Sequence, residues 1–393
     1  MDNIRHSVDG TRLIVFPEGH IDSANAQDFE ETINELRSRG SYDEIELNCG
    51  QLQYISSAGL RVILRLRKDV KAVVLSDVSP EIYEILDVTG FTELVEVQKA
   101  YRRVSIEGCE VIGQGANGKV YRIDPETIVK VYYNVESLPE IRRERELARK
   151  AFVLGIPTAI SYDVVRVGDS YGAVYELLNA KSFLKLLTEQ TMSLEEVIRM
   201  SIDLLKMIHA TQTDDPIMPS MKTVALGWAD FLGDYLPEEQ YKKLRGLIEE
   251  VPESDHMLHG DYHLKNIMYQ DGESLLIDMD TLCVGNPVFE LASMYNAYVG
   301  YGETDEKVTT EFLGVSRATA REIWDRSLRL YLDDMDEEKI LEIEKKAMLI
   351  GYTRIMRRTI RRNGLNTPDG QELIACCRKH IEELLAEVDT LLF

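Results

Sequence analysis

Apolar positions along the first hundred residues alternate between strand-like and helix-like spacing, which predicts a small α/β unit. Arg12–Phe16 and Glu44–Cys49 read as strands. Between them Phe29, Ile33 and Leu36 share one helical face at i, i+4 and i+7, with Ser23 as the expected N-cap and Gly40 as the stop. The scheme repeats: Ser57–Val70 reads as a helix, Ala72–Leu75 as a short buried strand, and Pro80–Val88 as a helix begun at Ser79 and ended at Gly90. A boundary falls near residue 103, which divides the chain into 1–103 and 106–393. In the second part Val120–Ile123 and Ile128–Tyr132 read as strands joined by a turn at Asp124-Pro125-Glu126-Thr127, and a charged helix is expected over Pro139–Leu154. After residue 300 the apolar residues recur at helical spacing.

Composition narrows the classes. A chain of 393 residues has room for two or three cores, and its 44% hydrophobic content is that of a globular protein. No apolar run approaches the roughly 18–20 residues of a membrane-spanning helix. The N-terminal Met-Asp-Asn-Ile-Arg-His-Ser-Val-Asp-Gly has neither the basic flank nor the apolar stretch of a secretory signal, so a cytoplasmic location is expected. Cys49, Cys109, Cys283, Cys376 and Cys377 lack zinc or disulfide spacing and read as buried or free thiols. The net charge of −23, with an acid excess in both halves, disfavours nucleic acid or an anionic membrane as partner and accommodates a cationic or neutral ligand more easily.

In the first part the junction Tyr54-Ile55-Ser56-Ser57-Ala58-Gly59-Leu60 runs a strand into a helix through two serines. A hydroxyl there can cap the helix, or it can carry a phosphate that the helix dipole and free N–H groups favour. With Gly19-His20-Ile21-Asp22 ahead of the first helix, this segment resembles the STAS domain of bacterial anti-sigma factor antagonists. The resemblance implies an α/β fold, a protein partner such as an anti-sigma factor, and a phosphorylated serine whose position falls on Ser57. Ser56 stands where that family often has Asp, and Ala58 where it often has Ser or Thr. A STAS module can also sense a ligand or dock a partner unmodified.

The second part opens with Ile112-Gly113-Gln114-Gly115-Ala116-Asn117-Gly118-Lys119-Val120, a GxGxxGxV pattern. Gly113, Gly115 and Gly118 would let a hairpin lie close over phosphates, and the strand that follows excludes the helix a dinucleotide turn requires. Lys130 in Ile-Val-Lys-Val-Tyr stands where a kinase places the lysine for the α- and β-phosphates. Glu144 is its expected partner, with Glu146 as the competing choice. His259-Gly260-Asp261-Tyr262-His263-Leu264-Lys265-Asn266 and Ile277-Asp278-Met279-Asp280 supply the remaining parts. Asp261 would orient and deprotonate a hydroxyl, Asn266 and Asp278 would hold Mg²⁺, and His259 would brace the loop. Asp280 either assists the metal or faces solvent.

The ordered set of glycine lid, lysine, glutamate, HGDxxxxN and IDxD predicts an ATP- and Mg²⁺-dependent kinase-like fold, with a β-rich N-lobe over about 106–178 and a helical C-lobe over about 179–393. The His-Gly-Asp spelling, the Gly-Ile-Pro-Thr segment that follows Glu144, and Gly285-Asn286-Pro287-Val288-Phe289-Glu290-Leu291-Ala292 resemble the aminoglycoside phosphotransferase and choline kinase superfamily. Glu290 replaces that family's usual Asp. The resemblance implies transfer to an alcohol group of a small molecule of aminoglycoside, sugar or amino-alcohol type. Asp333, Asp334 and Asp336 could recruit a cation but read more simply as a solvated turn. The run Arg354, Arg357, Arg358, Arg361, Arg362 could bind a phosphorylated substrate or the first domain, and ordinary pairing with the acidic remainder is the expectation. The alternative function is signalling, with the kinase acting on a protein serine such as Ser57 and the STAS domain docking a partner.

Overall fold

The computed structural model describes residues 4–115, 117–333 and 335–393. The first three residues, Ala116 of the glycine loop and Asp334 lie outside the described residues. The chain divides between Ser105 and Ile106 into two compact units.

The first unit is a sheet of strands in the spatial order Arg5–Asp9, Arg12–Phe16, Glu44–Asn48, Ala72–Val78, Glu96–Lys99. The first pair is antiparallel and the rest are parallel, as crossover helices require. Helices Ala26–Ser38, Ser57–Asp69 and Pro80–Val88 bury Phe29, Ile33, Leu60, Val62 and Ile82 against it. A parallel pair, Glu18–Ile21 with Gln51–Ile55, carries the segments on either side of the serine junction. The first helix is not capped by Ser23. The Asp22 side chain accepts from Ala24 N at 2.8 Å and Asn25 Oδ1 accepts from Asp22 N at 2.9 Å, so a side-chain-bonded turn takes up Ser23 and the helix starts after Asn25.

The second unit has a strand-rich N-terminal part and a helical C-terminal part. Strands Glu110–Gln114, Gly118–Arg122, Thr127–Tyr132, Ser170–Glu176 and Asp163–Val167 follow one another antiparallel, with helix Leu138–Val153 packed on them through Ile141, Leu147 and Ala151. Three short strands, Lys181–Ser182, Ile267–Gln270 and Glu273–Leu276, form a second sheet. The pair Met257–Leu258 and Cys283–Val284 brings the two ends of the catalytic-loop region together. Helices Leu194–Ala210, Pro287–Tyr298, Arg317–Leu332, Glu337–Arg361 and Pro368–Glu387 enclose a core around Trp324, Tyr262, Tyr295 and Tyr352, each almost wholly buried. Among the described residues no helix is long and apolar enough to cross a membrane.

Candidate active site

Strand alternation places Lys130 and Tyr132 on the same face of Thr127–Tyr132, the face covered by helix Leu138–Val153. Glu144 projects from that helix and is buried, whereas Glu146 is exposed, so packing selects between the two carboxylates. Lys130 Nζ donates to Glu144 Oε1 at 3.1 Å and to Asp278 Oδ1 at 2.7 Å, and the Tyr132 hydroxyl donates to Glu144 Oε2 at 2.6 Å. Burial alone would lower the Lys130 pKa, but Glu144 and Asp278 outweigh it and hold the ammonium well above the usual lysine range. The same burial, reinforced by the Glu144 charge, keeps Tyr132 and Tyr175 protonated far up the scale.

The glycine hairpin closes through a hydrogen bond from Gly115 N to Gly118 O at 3.0 Å. The three glycines serve different ends. A Cβ at Gly118 would lie 2.2 Å from Val131 O, so the neighbouring strand requires a glycine there. At Gly115 a Cβ would meet nothing within 4 Å, and at Gly113 it would make ordinary contact with Val120. Both line the cleft, where an added side chain would occupy ligand space.

The His259–Asn266 loop is braced from several directions. Gly260 has φ +79°, and a Cβ on it would lie 2.4 Å from Thr281 O, which fixes the residue type in His-Gly-Asp. The His259 ring is fully buried; its Nδ1 accepts from Asp261 N at 3.3 Å and its Nε2 donates to Ile277 O at 3.2 Å. Glu290 fulfils the supporting role expected of an Asp. Its carboxylate accepts from His259 N at 2.5 Å and from Gly260 N at 3.0 Å, and His209 Nε2 lies 4.0 Å away. Burial would raise the Glu290 pKa, but His209, His259 and the Gly260 amide outweigh it, and the carboxyl is held below its usual range.

Asp261 faces the cleft with His263 Nε2 at 3.6 Å and an Arg354 guanidinium nitrogen at 4.0 Å. Its enclosure would raise the pKa, yet His263, Arg354 and His259 depress it below the ordinary carboxylate range. Asn266 Nδ2 donates to Asp261 O at 3.0 Å, which leaves its amide oxygen as the atom available to a cation. Asp278 sits in the left-handed region at φ +57° and is half-exposed. Asp280 follows in the Met279–Thr281 turn. The residue is exposed, but the protein around its carboxyl, followed by the charges of Glu144, Asp278 and Asp261, pushes its pKa up to about 7 against the pull of Lys130. Asn266, Asp278 and Asp280 all line the cleft and offer the hard oxygen donors that a Mg²⁺ ion would take.

Gly113, Gly115, Gly118, Lys130, Glu144, Asp261, Asn266, Asp278 and Asp280 line one cleft of about 1060 Å³, above the volume a single small ligand needs, while His259 and Glu290 support it from behind. Two sets of sequence readings resolve differently. Asp333 pairs with Lys206 at 2.7 Å and Asp336 caps the helix Glu337–Arg361, so neither acts in the cleft. Among the described residues only Arg354 of the arginine run comes within ion-pair distance of a carboxylate, at 4.0 Å from Asp261. Arg354 donates to Gly260 O and Ser293 Oγ, Arg358 donates to the Tyr301 hydroxyl, and Arg357 lies over the Phe231 ring, because the helix turns these residues toward the cleft and neighbouring helices. The contributions of Arg354, Ser293, His263 and Tyr132 are not marked by the catalytic motifs. Only the i, i+4, i+8 spacing of Arg354, Arg358 and Arg362 offered a signal.

Comparison with known proteins agrees with both units. The STAS domain family matches residues 3–104. The Phosphotransferase enzyme family matches residues 108–323. Over 94 residues the chain is 35% identical to "Putative anti-sigma factor antagonist BtrV" of Bordetella bronchiseptica, across 23% of this chain and 79% of that protein. Among solved structures it is similar to ADP-bound aminoglycoside phosphotransferase APH(2'')-Ib at 17% identity, covering 80% of this chain and 99% of that one with a TM-score of 0.47. A choline/ethanolamine kinase family protein from Mesorhizobium loti is similar at 14% identity, covering 72% and 89% with a TM-score of 0.46. The chain belongs to the Phosphotransferase enzyme family and carries a STAS domain ahead of its phosphotransferase domain.

Proposed function

We propose that residues 106–393 transfer the γ-phosphoryl group of Mg·ATP to a hydroxyl of a small molecule, and that the STAS domain regulates this activity or docks a partner. The observation that carries the reading is the convergence of Lys130, Glu144 and Asp278 in one ion-pair network, in the same cleft as Asp261 and Asn266. Lys130, kept charged by Glu144, binds the α- and β-phosphates under the Gly113–Gly118 hairpin. Asn266 and Asp278 would hold Mg²⁺, which when bound would supply positive charge against the phosphate oxygens. Asp261, held ionised, orients the acceptor hydroxyl and takes its proton as the new P–O bond forms and ADP leaves with the electrons of the β–γ bridge. Arg354 and His263 position Asp261.

A second reading is favoured by the serine junction. Ser56 is the N-cap, its Oγ accepting from Ala58 N at 3.2 Å, while Ser57 is the first helical residue and exposed. The capping role therefore leaves the Ser57 hydroxyl available to a phosphate at a helix N-terminus. Incubating the full chain with Mg·ATP labelled at the γ-phosphate, with and without a panel of hydroxyl compounds, separates the readings. Label is expected on a small molecule, with ADP release dependent on it. Label on the protein alone, lost in Ser57→Ala, would support signalling and remove the small-molecule reading.

A further inference from the structure

One part of the cleft wall comes from helix Glu337–Arg361 and from the start of helix Pro368–Glu387. Arg354, Arg358 and Arg362 line it at successive steps of four residues, about 6 Å apart along one helical face. Arg354 is committed: it donates to Gly260 O at 2.8 Å and Ser293 Oγ at 3.1 Å, beside Asp261. Arg358 donates to the Tyr301 hydroxyl at 2.7 Å, and Arg362 is exposed. Among the described residues neither has a carboxylate within ion-pair distance, in a chain where 68 acidic residues face 45 basic ones.

The same wall holds a second source of positive potential. Thr367 and Gly370, at the N-terminus of the 20-residue helix Pro368–Glu387, line the cavity, and Thr367 Oγ1 accepts from Gly370 N at 3.3 Å. Pro368 carries no N–H and the Gly370 amide is taken by Thr367, so what this terminus offers the space bordered by Arg358 and Arg362 is the positive end of the helix dipole. The acids of the cleft lining, Glu144, Glu176, Asp261, Asp278 and Asp280, all precede residue 281, and the lining residues from Ser293 onward include no Asp or Glu. A polycationic acceptor would meet guanidinium groups here without a carboxylate to receive its amines, whereas a phosphate or carboxylate finds planar, bidentate donors.

We propose that the acceptor carries an anionic group of its own, a phosphate or a carboxylate, held by Arg358 and Arg362 against the Thr367–Gly370 helix terminus while its hydroxyl meets Asp261. The inference rests on the phosphotransferase reading above and narrows its acceptor class. It runs against the expectation, set by the net charge, of a cationic ligand.

Equilibrium titration of the full chain in excess Mg·ADP tests it, using hexose and pentose monophosphates, glycerate and related hydroxy acids, and the cations kanamycin and choline. At least one anionic set is expected to bind, and Arg358→Ala or Arg362→Ala to weaken that binding tenfold or more, with Arg358→Lys recovering part of the loss. Which of the two anionic sets binds identifies the group recognised. Binding confined to kanamycin or choline, no anion binding, or an anion affinity unchanged in both alanine variants would overturn the inference. A separate ADP titration reads the nucleotide site: ADP failing to bind while an anion binds through Arg358 and Arg362 supports this inference and counts against the kinase reading.

Discussion

Asp261→Ala is expected to lower phosphoryl transfer by about 10²–10⁴-fold, the range associated with loss of a positioned acid–base group, with a much smaller effect on Mg·ADP affinity. The asymmetry follows from where each part of the residue is used. The Asp261 carbonyl accepts from Asn266 and its N–H donates to His259, and both contacts survive truncation of the side chain. The carboxylate itself is held by His263 and Arg354, which keep it ionised and fix its direction. Asp261→Asn preserves the shape and removes the charge, so it should lie close to the alanine variant in rate. Near-normal turnover in either variant, measured as ADP release with a working acceptor, would remove Asp261 from the chemistry.

Lys130→Ala is expected to weaken nucleotide binding by tenfold or more and to destabilise the phosphotransferase unit by about 3 kcal/mol, because removing one member of a buried pair leaves the other charge uncompensated. Side-chain exposure is 16% for Lys130 and 7% for Glu144, so the pair is poorly solvated and water replaces the lost partner only in part, from the cleft. The Tyr132 hydroxyl satisfies only one Glu144 oxygen. Asp278, half-exposed, adds less to stability although it lies nearer to Lys130. Adding Glu144→Gln to Lys130→Ala should recover part of the stability and none of the nucleotide affinity. Denaturant unfolding and ADP titration of both variants check the pair of outcomes.

The groups that meet in the cleft were legible because each is a local signature: glycines spaced for a hairpin, a lysine inside a short apolar strand, and a His-Gly-Asp loop followed by a strand ending in Asp. Residues whose role depends on which of two neighbours is turned inward were not. Glu144 and Glu146 differ only in the face of the helix they occupy. Ser56 and Ser57 both suit a cap, and the extended backbone of Ser56 assigns it that role. Ser23 lost the first helix start to a turn bonded through Asp22 and Asn25, whose side chains compete for the same amides. Glu290 in place of Asp is accommodated by its reach to two consecutive backbone amides. The arginine run misled for a different reason. Net charge predicts plentiful carboxylate partners, but whether any lies within reach of Arg358 or Arg362 is set by the packing of helices distant in sequence.

The most direct test of a Mg²⁺-dependent nucleotide site at Lys130, Asn266 and Asp278 is an ADP titration of the wild-type chain and Asp278→Ala, with and without Mg²⁺. The geometry predicts that Mg²⁺ tightens ADP binding at least tenfold in the wild type and that Asp278→Ala loses this gain. ADP affinity indifferent to Mg²⁺, or a gain undiminished in Asp278→Ala, would contradict the account.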